Sequence, residues 1–139
     1  MRKLLLLTIT ASLAFSSNIF IDPKTDLTWQ DNITTKDTEI TWDKAKFFCS
    51  VLRLNNHNDW RLPSVKELET IIEISQHETK DGKGFKYIGD DGYYWSGTEH
   101  ETQEEFAWIM NFKRGYEYIN YKTYERFVRC VRGEMKKIE

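Results

Sequence analysis

Apolar residues recur at helical spacing in the stretch that follows Thr41. The repeating positions are Ala45, Phe48, Cys49 and Leu52. One apolar residue every three or four positions predicts an amphipathic helix that buries a single stripe. Thr41 stands where a side-chain cap is expected, so we predict that this helix begins there.

A second helix is predicted from Ser64 to about Ser75. Pro63 disfavours helical backbone at the residue before it, and Ser64 and Glu67 have the S-x-x-E spacing of a capping box. The apolar positions that follow are Val65, Leu68, Ile71 and Ile72. Because this face must be buried, we expect the neighbouring Trp60 to cover it.

The remaining pattern predicts short strands. Residues 19–21 and 27–30 are β-prone and flank a turn-like segment, which predicts a hairpin. Residues 76–92 contain four glycines and predict a long loop with at most a short strand at 85–88. Alternation of aromatic and β-branched residues then predicts a late antiparallel sheet with a tight turn at 113–115. Its strands are predicted at 93–96, 106–112, 116–120 and 127–131.

The first 17 residues have the pattern of a signal peptide. Arg2 and Lys3 precede an apolar run over residues 4–15, which is followed by Ser16 and Ser17. This run is shorter than the roughly 20 residues that cross a bilayer. We therefore predict a signal peptide at 1–17, one domain at 18–139, and an exported, periplasmic or extracellular product without a stable membrane anchor. An uncleaved N-terminal anchor is the alternative.

Charge narrows the classes of partner. The chain has 20 basic and 22 acidic residues, a formal net charge of −2. Loss of Arg2 and Lys3 leaves 18 basic residues against 22 acidic ones, so the mature chain carries −4. This balance argues against nucleic acid as a partner.

The chain has two cysteines, Cys49 and Cys130. In an exported protein such a pair favours a disulfide. Closing a loop of 81 positions stabilises a fold by roughly 4 to 5 kcal/mol in the chain-entropy model. The alternative is a pair of buried free thiols.

Aromatic residues are dense between positions 108 and 124, with amides and cations among them. Aromatic rings stack on sugars, and neighbouring amides bind hydroxyl groups. Since half of the side chains in a strand face the core, Trp108, Phe112 and Tyr118 are expected to be structural. The predicted surface residues for ligand binding are Asn111, Tyr116, Asn120 and Tyr121.

Two signature segments, DWRLP at 59–63 and VRCVR at 128–132, occur with further Trp-containing elements near residues 29, 42, 95 and 108. As a set, they resemble the DUF1566 family, also known as the C-terminal domain of the Legionella collagen-like adhesin (Lcl). The resemblance implies an α+β, C-type-lectin-like fold, with two helices on short antiparallel sheets, distantly related to the formylglycine-generating enzyme domain. The residues expected to form its structural signature are Trp29, Trp42, Asp59, Trp60, Arg61, Leu62, Pro63, Trp95 and Arg129.

Two signature residues have specific expectations. Asp59 is expected to accept hydrogen bonds in the turn before the second helix. If 128–132 is a strand, Arg129 shares a face with Phe127 and Val131 and is buried, with Glu67 or Glu69 as its carboxylate partner.

No cofactor is predicted, but calcium remains open. The tripeptides EPN, QPD and WND, which are common in calcium-dependent lectins of this fold, do not occur. Hard oxygen ligands are available at Asp90, Asp91, Glu99 and Glu101. Three histidines, His57, His77 and His100, have no metal-ligand spacing and are expected at the surface. Metal-binding residues are therefore not assigned.

The resemblance implies a non-catalytic module that binds a glycan or an envelope or host protein. The adhesin implies sulfated polysaccharide as one ligand class, which in an acidic chain requires basic residues to gather on one face. The candidates are Lys113, Arg114, Lys122, Arg126 and Arg132. Two alternatives stay open: a divergent enzyme of the formylglycine-generating type, which needs free thiols, and an envelope protein that binds only a partner chain.

Overall fold

A computed structural model describes residues 18–76, 84–89 and 92–137. Over these residues the chain forms eight short strands and four short helices. The strands are β1 Ile19–Ile21, β2 Thr28–Gln30, β3 Glu39–Ile40, β4 Tyr93–Glu99, β5 Phe106–Asn111, β6 Tyr116–Tyr121, β7 Arg126–Phe127 and β8 Val131–Arg132. The helices are α1 Thr34–Asp37, α2 Trp42–Val51, α3 Val65–Glu69 and α4 Ile72–Ser75. The predicted signal peptide at 1–17 lies outside the described residues.

The strands form two small sheets. The smaller has the order β1-β2-β8, and the larger has the order β3-β7-β4-β5-β6. All pairs are antiparallel except β4 and β7, which meet in parallel at Tyr94 and Phe127. The α+β class with two small sheets is confirmed, with a single parallel pair as the exception to the predicted antiparallel pairing.

The predicted N-terminal hairpin is confirmed, since β1 and β2 pair with Phe20 opposite Trp29. The first predicted helix is also confirmed as α2, and Thr41 occupies its N-cap with extended backbone. The Thr41 side chain makes no capping hydrogen bond. Instead, its carbonyl accepts from the Ala45 N–H at 2.8 Å.

The capping box that begins α3 is present in both directions. The Ser64 hydroxyl accepts from the Glu67 N–H at 3.1 Å, and the Glu67 carboxylate accepts from the Ser64 N–H at 2.8 Å. The predicted continuous helix is interrupted, however, because the N–H groups of Thr70 and Ile71 bond to carbonyls only three residues back. The Thr70 hydroxyl also donates to the Glu67 carbonyl. The helix therefore ends at Glu69 and resumes as α4.

The late sheet is confirmed in β4, β5 and β6, and the predicted tight turn joins β5 to β6 with Gly115 at φ +76°. The predicted strand at 127–131 is wrong. Only its ends are strands, β7 in the larger sheet and β8 in the smaller. Residues 128–130 cross between the sheets, where the Gln30 side chain accepts from the Cys130 N–H at 3.0 Å.

The segment at 85–88 is loop, which agrees with the prediction of a long loop with at most a short strand there. Instead of pairing with a strand, its backbone is held by side chains from other segments. The Asp31 carboxylate accepts from the N–H groups of Lys86 and Tyr87 at 3.0 and 3.1 Å. Most of the rest of the predicted long loop, residues 77–83 and 90–91, lies outside the described residues.

Two apolar clusters fill the interior. One contains Leu68, Ile71 and Tyr94, and the other contains Trp42, Trp60 and Trp95. Trp60 is 3% exposed but belongs to the second cluster, so the prediction that it covers the helix after Ser64 was wrong.

The predicted disulfide between Cys49 and Cys130 is confirmed, with 5.6 Å between its Cα atoms and both cysteines fully buried. It joins α2 to the crossing segment and lies in the second cluster. Among the described residues, no helix has the length and apolar character needed to span a membrane.

Candidate functional site

Strands β5 and β6 divide their side chains between two faces of the larger sheet. Cross-strand register places Ile109 opposite Tyr118 and Ala107 opposite Asn120 on what we call the first face. The alternate pairs, Trp108 with Ile119 and Phe106 with Tyr121, define the second face. Strand β6 is an edge of this sheet. Its first-face side chains are half-buried, whereas its second-face side chains are exposed.

The four predicted ligand-binding residues do not come together. Tyr116 and Asn120 lie on the first face, whereas Tyr121 lies on the second. Asn111 is 2% exposed, and its Oδ1 atom accepts from the Arg114 N–H at 2.9 Å. The prediction that Asn111 is a surface residue was therefore wrong, because its side chain holds the β5–β6 turn.

A groove of about 370 Å³ opens on the first face, and we call it the tyrosine groove. Its lining residues are Tyr93, Ile109, Tyr118, Asn120 and Arg126, together with Ile119, which belongs to the second face but borders the groove on the edge strand β6. The rings of Tyr93 and Tyr118 are 6.2 Å apart, and both pack on the second cluster. The groove thus combines an aromatic floor with an amide and a guanidinium, which are the groups that bind sugar rings and their polar substituents.

Arg126 forms the polar end of the tyrosine groove. Its Nε–H donates to Asn120 Oδ1 at 2.7 Å, and its Cζ atom lies 5.1 Å from the Tyr93 ring centroid and 5.7 Å from that of Tyr124. Among the described residues it has no ion pair with a carboxylate. Within that part of the chain, the cation is therefore held by an amide and two aromatic rings and is not neutralised by a carboxylate.

A second arginine lies near the other end of β6. Arg114 Nη1 donates to the Tyr116 hydroxyl at 3.3 Å, and the hydroxyl groups of Tyr118 and Tyr116 are hydrogen bonded to each other. The bond from Tyr118 and the nearby guanidinium lower the pKa of Tyr116. The same hydrogen bond raises the pKa of Tyr118. These contacts extend the polar surface beyond the groove.

The predicted basic residues gather only in part. Lys122 is paired with Glu99 at 2.9 Å, and Arg132 is paired with Asp59 at 2.7 Å. Lys113 is exposed in the turn. Of the five candidates, Arg114 and Arg126 therefore remain as cations of the first face that have no carboxylate partner among the described residues.

The signature residues have structural roles. Trp29 and Trp95 are fully buried, and the indole N–H groups of Trp42 and Trp95 donate to the Ser96 and Ile40 carbonyls. The buried Leu62 and Pro63 lead into the capping box. Arg61 forms a two-bond pair with Glu67 at 2.7 and 2.8 Å. Asp59 was predicted to accept hydrogen bonds in the turn, but its largest partner is the Arg132 side chain, with a backbone hydrogen bond from its own residue as a smaller contribution.

Arg129 is buried as predicted, but its predicted partner was wrong. It lies 3.5 Å from Asp31 and donates to the carbonyls of Gln30 and Tyr87. Its Cζ atom lies 3.9 Å from the Phe85 ring centroid. Glu67 is occupied by Arg61, and Glu69 is exposed. The reason is that 128–130 is a crossing segment, which directs Arg129 toward the smaller sheet.

Of the candidate calcium ligands, Glu99 is paired with Lys122 and Glu101 lies 3.9 Å from His100. His100 Nδ1 accepts from the N–H groups of Thr102 and Gln103. Asp90, Asp91 and His77 lie outside the described residues. Within residues 18–76, 84–89 and 92–137, no group of three or more acidic, histidine or cysteine side chains is arranged to hold a metal.

Two residues of interest were not found from the sequence. Tyr93 was assigned only to a strand, because nothing in the pattern indicates which face it takes. Trp108 was predicted to be structural, yet it is half-buried, whereas the other four tryptophans are at most 4% exposed. A larger recess of about 500 Å³ lies at residues 53–58, but a single turn lines it and no tyrosine, tryptophan or phenylalanine ring contributes.

Comparison with known proteins identifies the domain. No curated protein matches the chain. A solved complex of a mutant von Willebrand factor A1 domain with botrocetin resembles it at 12% identity, with 82% of this chain and 94% of that chain covered and a TM-score of 0.45. That score is too low to assign a fold. The profile of the Lcl C-terminal domain matches residues 18–132, almost all of the predicted mature domain. The chain therefore belongs to the Lcl C-terminal domain family.

Proposed function

We propose that this domain is an exported, non-catalytic binding module that holds a glycan in the tyrosine groove. The observation that carries the proposal is the groove itself: two tyrosine rings beside an amide and an arginine that has no carboxylate partner among the described residues. Aromatic faces stack on the apolar side of a sugar ring, while the amide and guanidinium bind its hydroxyl or acidic groups. Membership of an adhesin-associated family supports a binding role.

The cysteines support the same proposal. An enzyme of the formylglycine-generating type needs two thiols, but Cys49 and Cys130 are joined in a buried disulfide. A disulfide between α2 and the crossing segment also fits an exported protein in the periplasm or outside the cell. We therefore assign the cysteine pair a stabilising role and no catalytic step.

The test is a glycan array probed with the mature chain, residues 18–139, with its disulfide intact. We expect selective binding that persists when calcium is removed with a chelator, because the groove needs no metal to make these contacts. A hit that requires calcium would move the site away from the groove. A blank array with folded protein would contradict the proposal and favour a protein partner in the cell envelope or on a host.

Paired tyrosine variants locate the site. Tyr118→Ala removes a groove ring, whereas Tyr121→Ala removes an exposed ring from the second face of the same strand. We expect Tyr118→Ala to weaken glycan binding at least tenfold and Tyr121→Ala to leave it unchanged. Asn120→Ala is a smaller change in the same groove and is expected to weaken binding as well. Loss of binding in Tyr121→Ala alone would place the ligand on the opposite face.

A further inference from the structure

The guanidinium of Arg126 is oriented by three neighbours. Asn120 accepts its Nε–H at 2.7 Å, while its Cζ atom lies over the rings of Tyr93 and Tyr124 at 5.1 and 5.7 Å. Within the described part of the chain, its one other hydrogen bond is long, from Nη1 to the Glu125 carbonyl at 3.5 Å. The edge formed by Nη1 and Nη2 therefore keeps most of its hydrogen-bond donors unused.

Three of the five other arginines in the described part of the chain are neutralised, whereas Arg53 and Arg114 are exposed and have no carboxylate partner there. Arg61, Arg129 and Arg132 each have a carboxylate within 4.0 Å, at Glu67, Asp31 and Asp59 respectively. Arg126 is likewise held by aromatic rings and an amide, but no carboxylate of residues 18–76, 84–89 or 92–137 pairs with it. A planar guanidinium with a free edge binds two coplanar oxygens through parallel hydrogen bonds. A carboxylate has this geometry and is the partner of the three paired arginines.

We propose that Arg126 determines specificity in the tyrosine groove and selects sugars that bear a carboxylate, as in a uronic acid. Asn120 is a positioning residue, because it occupies Nε and so directs the Nη1–Nη2 edge toward the ligand. This inference rests on the proposed function and deepens it. Asn120 was predicted to contact ligand directly; in this arrangement its oxygen acts through Arg126.

The test compares trigalacturonate with its methyl ester by isothermal titration. The two probes share a sugar skeleton and differ in charge, so their affinity ratio isolates the contribution of the carboxylate. We expect the acid to bind about tenfold more tightly, the gain expected for a hydrogen bond to a charged group. A sulfated galactotriose is the third probe and distinguishes a planar carboxylate from another anion.

Arg126→Lys keeps the charge but removes the planar edge, so we expect the ratio of acid to ester affinity to fall close to one. Arg53→Lys is the matched control, because Arg53 is exposed and its one side-chain hydrogen bond to a described residue is to the Leu52 carbonyl. Asn120→Asp keeps an oxygen at Arg126 Nε but adds an internal anion, and it should also abolish the preference. Asn58→Asp, at an exposed loop position, controls for the added charge. Unchanged melting temperatures show that these effects are not unfolding.

The outcomes separate this inference from the proposed function. Equal binding of acid and ester by the natural chain overturns the role of Arg126 while glycan binding stands. Tighter binding of the sulfated probe overturns the carboxylate preference. A preference for the acid that survives in Arg126→Lys contradicts the guanidinium geometry. Failure of all three probes, together with a blank glycan array, overturns the proposed function itself.

Discussion

Arg129 is a buried cation that ties together segments far apart in the chain. It is 1% exposed, pairs with Asp31 and donates to the carbonyls of Gln30 and Tyr87. Asp31 in turn holds the N–H groups of Lys86 and Tyr87. The pair therefore anchors the segment at 84–89 to the smaller sheet. Removal of either side chain would leave the charge of the other buried without a partner.

We predict that Arg129→Ala destabilises the fold by about 3 to 5 kcal/mol, because it leaves the Asp31 carboxylate buried without a cation. Urea unfolding of the disulfide-intact protein measures the change. Arg53→Ala removes an exposed arginine and should change stability by no more than about 0.5 kcal/mol. Equal stability of the Arg129 variant and the natural chain would contradict this role.

Glu67 gives the fold a sensitivity to acid. Burial alone raises the pKa of this carboxyl group, but bonds from Arg61 and the Ser64 N–H outweigh it, so the pKa is lowered from the usual value of 4.5. A lowered pKa in the folded state adds stability above the unfolded value, and this stability is lost as the pH falls through the folded value.

The lowered pKa of Glu67 predicts how the melting temperature depends on pH. Between pH 7 and 3, the melting temperature of the natural chain should fall as the pH drops below about 4.5. Glu67→Gln should be less stable at pH 7 and show a shallower fall, since it cannot be protonated. Glu69→Gln, at an exposed position on the same helix, should follow the natural profile. Parallel profiles for Glu67→Gln and the natural chain would refute the linkage.

At the scale of elements, the crossing segment at 128–130 joins the two sheets. It links β7 in the larger sheet to β8 in the smaller, and Cys130 bonds it to α2. The Gln30 side chain accepts from the Cys130 N–H, and the Cys130 carbonyl accepts from the Gln30 N–H. The disulfide therefore fixes both the helix and the junction between the sheets.

We predict that the double change Cys49→Ala and Cys130→Ala lowers the free energy of unfolding by roughly 4 to 5 kcal/mol, because the denatured chain loses the restraint of an 81-residue closure. Denaturant unfolding measures this loss. Reduction of the natural protein should reproduce it. A double variant as stable as the oxidised natural chain would contradict a stabilising role.

Elements with a local signal were predictable from the sequence. The capping box fixed the start of α3, and glycine with its turn neighbours indicated the β5–β6 connection. The break at Thr70 was missed because it depends on a hydroxyl bond to the Glu67 carbonyl rather than on apolar spacing. The strand at 127–131 was overextended because alternation within one segment does not reveal that its two ends belong to different sheets.

At the scale of the whole molecule, the candidate site depends on the faces of the larger sheet. The aromatic region was predictable from the sequence, as were Tyr116 and Asn120, which lie on the same face. It could not show that Tyr121 lies on the other face or that Asn111 is buried, because both depend on cross-strand register and on the elements packed above the sheet. Tyr93 and Arg126 come from separate strands and meet only in the folded chain.

The central claim is that a glycan binds on the first face, in the tyrosine groove. Its most direct test is nuclear magnetic resonance of the labelled mature chain, titrated with the best glycan from the array. The account predicts that shift changes concentrate at Tyr93, Tyr118, Asn120 and Arg126. Changes centred instead on Trp108 and Tyr121 of the second face, or on the turn at 53–58, would contradict it.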